Sequence, residues 1–405
     1  MPGAEAEAGF ALAETHFHAG QWSEAAAIYG RLLEAAPDHF NANLRLGTIL
    51  CGVGRADEAI AHLDRCANQR SDMAEVFYQR GKARTESGNP QGALADLNAA
   101  LTLNPAFVEA LEFLGVALQI LGRHRDVLDV LDRLDRLVPG HKTVLGNYLY
   151  AAQALCDWKA IERLRPRLQA QAASGEAVIP PQAMLMSFDD PALLHTCAVH
   201  FQRDLVAGMP QAAPFPPTAR GRRIRIAYVS TAFREHATSL LISDLIARHD
   251  RSRFQVIGVS SGPDDGSKMR AWMKGAFDRF VDIRGMHDVQ VVERLRKMEV
   301  DIAIDLNGHT RNSRNGVFAL RAAPVQVSFL GFPGTMGAGF MDYIIADPVV
   351  LPRQDQEFYS EKVAWLPDSY QPNSPMRPRL PPFSRRSYGL PEQGFVFCSF
   401  NSHFK

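Results

Sequence analysis

The chain has 405 residues, 46% hydrophobic and 22% charged, an ordinary composition for globular domains and enough length for two or three of them. Lys+Arg and Asp+Glu both total 44, which leaves no overall electrostatic case for nucleic acid or membrane as the main partner. Five scattered cysteines without CxxC spacing argue against a disulfide framework or zinc site, and neither a secretory leader nor an 18-residue apolar run is present, so the expected location is the cytoplasm.

The first 140 residues repeat with a period of 34. Gly20, Gly54, Gly88 and Gly122 fall in one column, and Ala13, Gly47, Gly81 and Gly115 in another. Ala25, Ala59, Ala93 and Val127 form a third, Tyr29, Leu63, Leu97 and Leu131 a fourth, and Pro37, Pro105 and Pro139 a fifth, with Ser71 in its gap. Small residues at a fixed spacing mark the close crossing of two antiparallel helices. The first glycine column supplies the turn between them, and the proline column stops the second helix. This order resembles the tetratricopeptide repeat. Four repeats are expected over 6–39, 40–73, 74–107 and 108–141. The columns fade after that, and 142–209 is read as a degenerate repeat plus packing helices that cap the array and dock it. Stacked repeats make a groove, which implies binding of an extended peptide or a partner protein.

The Pro-rich, basic run PQAAPFPPTARGRR predicts a linker over 210–222. Beyond it the texture changes to short apolar runs separated by amphipathic stretches. RRIRIAYVS, FQVIGVSSG, FVDI, IAIDL, VQVSFLGF, YIIAD and VAWLP read as strands, with helices at ATSLLISDLIARHD, KMRAWMKGAFDRF and MHDVQVVERLRKMEV. Alternation of this kind predicts a doubly wound parallel sheet, whose ligands sit at the strand C-terminal ends. A further strand is expected near FVFCSF.

Several polar residues fall on that edge. His236 lies in the loop after the first strand, just before a helix whose N-terminus disfavours the imidazolium, so it suits a proton acceptor; the alternative is a loop histidine that merely caps. Asn307, His309 and Thr310 follow IAIDL and suit sugar or phosphate oxygens, although NG and GH are also good turn formers. The run GFPGTMGAG, with Pro333, Gly334 and Thr335, suggests a strand-to-helix turn whose backbone N–H groups cradle an anion. Its spacing is neither GxGxxG nor a Walker loop. No DxD or HExxH motif occurs.

YVSTAFREH (228–236), DLNGHT (305–310), FALRAAPVQVSFLGFPGTMG (318–337), MDYIIADPVV (341–350) and YSEKVAWLPDSYQPN (359–373) together resemble the catalytic region of the protein O-linked N-acetylglucosamine transferases, including the SPINDLY-like proteins. The resemblance implies an all-α tetratricopeptide superhelix followed by the α/β Rossmann-like N-terminal lobe of a GT-B glycosyltransferase, here 223–385, with 386–405 entering a second lobe. It implies inverting, metal-independent transfer of N-acetylglucosamine from UDP-N-acetylglucosamine to Ser or Thr hydroxyls, with no cofactor beyond that donor. His236 falls on the family's first-lobe histidine, a general base or acceptor-site residue. Asn307, His309, Thr310, Pro333, Gly334 and Thr335 fall on cleft-lining motif positions.

Three departures stand out. Ala232 replaces the usual Asp of the first loop. The column that carries an asparagine ladder in animal enzymes reads Ala11, Arg45, Gln79 and Phe113. The sequence stops at Lys405, before the expected UDP-binding lobe, so the chain is read as a fragment or a truncated form. A non-catalytic interaction protein carrying a relic lobe is the alternative.

Overall fold

The computed structural model describes residues 3–176, 178–210, 212–215, 221–310, 312–373 and 384–398. Two compact units divide the chain, Met1–Arg163 and Leu164–His403. Among the described residues no helix is long and apolar enough to cross a membrane.

The first unit is a run of helix pairs in the expected frame: α1 (Gly3–His18) with α2 (Trp22–Ala35), α3 (Phe40–Gly52) with α4 (Ala56–Gln69), α5 (Ala74–Glu86) with α6 (Pro90–Leu103), and α7 (Val108–Ile120) with α8 (His124–Leu137). α9 (Val144–Ala154) follows in the same unit, and the unit boundary at Arg163 falls inside α10 (Trp158–Ser174). The turn glycines are left-handed, with φ of 73° at Gly20, 75° at Gly54, 83° at Gly88 and 69° at Gly122. A side chain there would be strained, which explains the column. At Gly47 and Gly81 an added Cβ would stand 2.8 Å from Leu63 and Leu97 respectively. At Gly115 nothing lies within 4 Å, so the crowding that the periodic column implied does not extend to the fourth repeat.

Polar groups also join the repeats. Arg80 on α5 donates to Asp96 on α6 at 2.7 and 3.0 Å and to Asp64 on α4 at 2.8 Å, while Arg84 adds a 2.8 Å bond to Asp96. Asp96 is buried, so breaking this cluster would strand its charge. The ladder column is committed to internal contacts. Arg45 pairs with Glu14 and lies over the Phe17 ring, Gln79 donates to Glu75, and Phe113 meets Tyr78 edge-on.

The second unit holds a seven-stranded, all-parallel sheet in the order β3-β2-β1-β4-β5-β6-β7. The strands are β1 (Ile224–Ser230), β2 (Phe254–Ser260), β3 (Arg279–Asp282), β4 (Ile302–Asp305), β5 (Val325–Ser328), β6 (Tyr343–Ala346) and β7 (Lys362–Trp365). Successive side chains alternate between two cores. Ala227 and Val229 join Ile257, Val259 and Val281 on one face, and Ile226 and Tyr228 join Val256 and Ile304 on the other. The strand order reverses between β1 and β4, which makes the C-terminal ends of those two strands the switch point.

Residues 142–209, read as a degenerate repeat plus packing helices, span the boundary between the units, and two expectations about the sheet lobe change. α11 (Pro181–Leu185) and α12 (Pro191–Leu205) belong with the sheet, where Leu185 reaches its core and Gly337 meets the α12 backbone so closely that a Cβ would stand 2.4 Å from the Ala198 carbonyl carbon. The run GFPGTMGAG is not a strand-to-helix turn, because 329–342 joins β5 to β6 with no helix between them. No strand forms at 395–398, where Phe395 and Phe397 stack on each other in the open with no neighbouring strand to take their backbone hydrogen bonds; 399–405 lie outside the described residues.

Candidate functional site

The switch point is built from two loops. After β1, Ser230 Oγ accepts from Ala232 N at 3.0 Å, and Ser239 Oγ donates to Ala232 O at 2.5 Å. Ala232 is buried inside this turn, so the Asp usual in the family would have to change the turn's packing. Buried Arg270, on α14 (Lys268–Ala276), donates to Phe233 O at 3.0 Å and Ser260 Oγ at 2.6 Å, pinning the loop from below. Gly262 runs so close that a Cβ there would stand 1.9 Å from Thr231 O.

After β4, Asp305 turns the chain. Its carboxylate accepts from Asn307 N at 2.9 Å and Gly308 N at 3.0 Å, an arrangement that bends 305–308 across the top of the sheet. Full burial pushes the Asp305 carboxyl up to about 6, against the opposing pull of those two bonds. Asn307 then reaches to the neighbouring loop. Its Oδ1 accepts from Thr231 N at 3.0 Å, and its Nδ2 donates to Thr231 Oγ1 at 2.7 Å and Thr310 Oγ1 at 3.3 Å. Both amide hydrogens are used, and Asn307 is buried. It therefore organises the edge without offering a free group to a ligand. The free groups are the hydroxyl hydrogens of half-buried Thr231 and Thr310, neither of which has an acceptor among the described residues.

His236 is the N-cap of α13 (Ala237–Ala247), and its Nδ1 accepts from Thr238 N at 3.1 Å. A neutral ring that accepts at Nδ1 carries its proton at Nε2. The residue is exposed. Asp265, in the adjoining loop, accepts from Glu235 N at 3.0 Å and steadies the approach to the cap.

His309 is placed differently. It is buried, meets Phe201 at 5.3 Å and Phe332 at 5.1 Å edge-on, and donates from Nε2 to Met336 O at 3.0 Å. Burial pushes its ring down to about 4, so it stays neutral, with an unpartnered Nδ1. Its role here is to tie the NGHT loop to the Gly-rich run. That run is organised around the chain's own anion. Buried Glu361, just before β7, accepts from Met336 N at 2.6 Å and from the Thr335 hydroxyl at 2.7 Å. Thr335 Oγ1 in turn accepts from Gly337 N at 3.1 Å and Ser360 N at 3.2 Å. The expected cradle therefore exists, but its occupant is Glu361. Pro333 is exposed, and buried Gly334 lines a small apolar pocket together with Phe332, Leu185 and Tyr359. Gly331 passes Leu306 O with no room for a Cβ, which would stand 2.0 Å away.

Of the residues that sequence reasoning placed after β1 and β4, Asn307 and Thr310 share a hydrogen bond, and His236 stands at the N-cap of α13. Sequence reasoning missed Thr231, Arg270 and Glu361. Thr231 was legible as a hydroxyl directly after a strand; Glu361, lying 26 residues from Thr335, carried no local signal.

A doubly wound parallel lobe with donors gathered at its switch point, preceded by a helical repeat array, defines the class: an α/β ligand-binding lobe behind a protein-recognition array. Residues 201–373 match Glycosyl transferase family 41, and residues 16–78 and 78–142 match tetratricopeptide repeats. A 190-residue stretch is 36% identical to an Arabidopsis thaliana protein named probable UDP-N-acetylglucosamine–peptide N-acetylglucosaminyltransferase SEC, covering 45% of this chain and 19% of that one. A 234-residue stretch is 33% identical to the UDP-N-acetylglucosamine–peptide N-acetylglucosaminyltransferase of Caenorhabditis elegans, covering 54% and 20%. Among solved structures, the K341M mutant of the Thermobaculum terrenum O-GlcNAc transferase aligns at 24% identity and a TM-score of 0.45, over 92% of this chain and 59% of that one. The chain thus spans about a fifth of the length of these curated relatives. Residues 201–373 are thus similar to a family 41 glycosyltransferase region and to part of these curated peptide N-acetylglucosaminyltransferases.

Proposed function

We propose that this chain serves a cytoplasmic protein O-glycosyltransferase that moves N-acetylglucosamine from UDP-N-acetylglucosamine to Ser or Thr hydroxyls, with inversion and without a metal. The repeats recruit the acceptor protein, and the switch-point edge forms one wall of the nucleotide-sugar cleft. The observation that carries this reading is the meeting of Thr231, Asn307 and Thr310 where β1 and β4 diverge, inside the region matched to family 41.

In this reaction the acceptor oxygen attacks the anomeric carbon, the bond to the diphosphate oxygen breaks, and UDP leaves with the bonding electrons. Thr231 and Thr310 supply O–H donors to donor-substrate oxygens, held apart at a fixed spacing by the Asn307 amide. His236, in the loop after β1, serves either as general base, taking the acceptor hydroxyl proton onto its ring, or as an acceptor-site binder, in which case that proton passes to solvent water. Asn307, His309, Gly334 and Thr335 shape the wall without touching the reacting atoms.

The test is transfer of label from UDP-N-acetylglucosamine to a peptide library, by this chain alone and together with a separately expressed second lobe of a family 41 enzyme, with and without EDTA. Transfer in the supplemented reaction, unchanged by EDTA, supports the reading. No transfer in either reaction sinks it. Retained capture of a protein partner by residues 1–163 in that case leaves the interaction-protein reading.

A further inference from the structure

A cavity of about 530 Å³ opens beside α15 (Asp288–Lys297), at the opposite end of the strands from the switch point. Arg225 is the second residue of β1, Gln255 sits beside it on β2, and Arg279 opens β3. The two-residue period puts Arg225 on the face of Ala227 and Val229, and Arg279 on the face of Val281. The cations thus begin where the apolar core ends. From α15 come Gln290, Glu293, Arg294 and Lys297, spaced i, i+3, i+4 and i+7 and hence on one helix face. β1 has seven residues, so this cavity lies roughly 20 Å from the Thr231 edge at the usual strand rise.

The charges around it do not balance. Four cations line the cavity against one carboxylate, Glu293. Arg225 is engaged, donating to Met298 O at 2.9 Å and Glu299 Oε2 at 2.5 Å. Arg294 has a single partner, the weakly accepting thioether of Met286 at 3.6 Å. The side chains of Arg279 and Lys297 have no hydrogen bond or ion pair among the described residues. Cations in the last turn of α15 gain from the helix dipole, and that would suffice for Arg294 and Lys297. It does not account for Arg279, which arrives from a strand. Open guanidinium forks match phosphate oxygens in pairs, and the volume is that of a small-molecule site, too large for a lone phosphate.

We propose that this cavity is a binding site for a small soluble di- or triphosphate, held by Arg279, Arg294 and Lys297, with the Gln255 and Gln290 amides available to the rest of the molecule. It is separate from the nucleotide-sugar wall and does not depend on the function proposed above.

The probe is inorganic triphosphate, titrated calorimetrically into the chain without metal ions. One site is expected, weakened at least about ten-fold in the Arg279→Gln, Lys297→Gln double variant and unchanged in Thr310→Val. Both substituted residues are exposed, and matching thermal melts establish that the fold is retained. Absence of binding by the wild type at millimolar triphosphate overturns the proposal, as does equal binding by the double variant. Sedimentation with anionic phospholipid vesicles that needs the same two residues, without triphosphate binding, assigns the charge to a membrane surface and also overturns it.

Discussion

Asn307 clasps Thr231 through two bonds, Thr231 N to Oδ1 at 3.0 Å and Nδ2 to Thr231 Oγ1 at 2.7 Å. One amide therefore sets the gap between the β1 and β4 loops at the point where the strand order reverses. Asn307→Ala removes both bonds and leaves Thr231 N without its acceptor. Chemical denaturation is expected to show the second unit destabilised by about 2–3 kcal/mol. Asn307→Asp should cost less than Ala, because it keeps the acceptor for Thr231 N and both threonine hydroxyls can turn to donate to the new carboxylate oxygen.

The orientation of His236 separates its two candidate roles. With Nδ1 engaged by Thr238 N, a neutral ring carries its proton at Nε2. His236→Gln keeps an N–H donor and is expected to retain activity within about ten-fold, whereas His236→Ala loses about a hundred-fold. A pH–rate profile reads the difference. If His236 were the general base, Gln and Ala would fall equally and the acid limb would vanish in both.

Asp305 and His309 give the second unit opposite pH dependences. Burial raises Asp305 from 3.8 to about 6, so its contribution is fully present below pH 3.8 and is lost as pH rises through 6. Burial lowers His309 from 6.5 to about 4, so its contribution is present above 6.5 and is lost as pH falls through 4. Between those limits the two offset each other. Relative to wild type, Asp305→Asn should gain about 3 kcal/mol on going from pH 4 to pH 7, and His309→Gln should gain on going the other way. Urea unfolding at pH 4, 5, 6 and 7 measures both slopes.

Glu361 holds the Gly-rich run from beneath, and burial raises its carboxyl above the ordinary range despite the bonds from Thr335 and Met336. Glu361→Gln is expected to lower stability by about 1–3 kcal/mol, since one end of the amide must face a donor with a donor. Thr335→Val also leaves Gly337 N and Ser360 N without their acceptor and should cost more, and the double variant should cost less than the sum of the two, because both changes remove the Thr335–Glu361 bond. Thermal melts of the two singles and the double read this coupling.

The repeat array was legible because its constraints are local and recur. Gly20 and its equivalents need a left-handed turn, and Gly47 and Gly81 need room for a leucine, so the same residue types return every 34 positions. The strands were legible because both faces of the sheet are buried, which leaves continuous apolar runs such as IAYVS. Side-chain direction in turns was not. Thr310 and Thr335 are the same residue type in similar Gly-rich company, yet one hydroxyl lies at the edge and the other is bound to Glu361. Nothing local to FPGTMG announces a carboxylate arriving from β7. The division of 142–209 was hidden for a related reason: α12 keeps a helical pattern whether it packs on repeats or on a sheet.

The most direct test of the switch-point edge as a nucleotide-sugar wall is the KM for UDP-N-acetylglucosamine in the supplemented transfer reaction, for wild type, the Thr231→Val, Thr310→Val double variant, and Thr231→Ser. The two hydroxyls should matter: KM is expected to rise about ten-fold or more in the double variant and to stay near wild type with serine, which keeps the donor. An unchanged KM in a folded double variant would contradict the account.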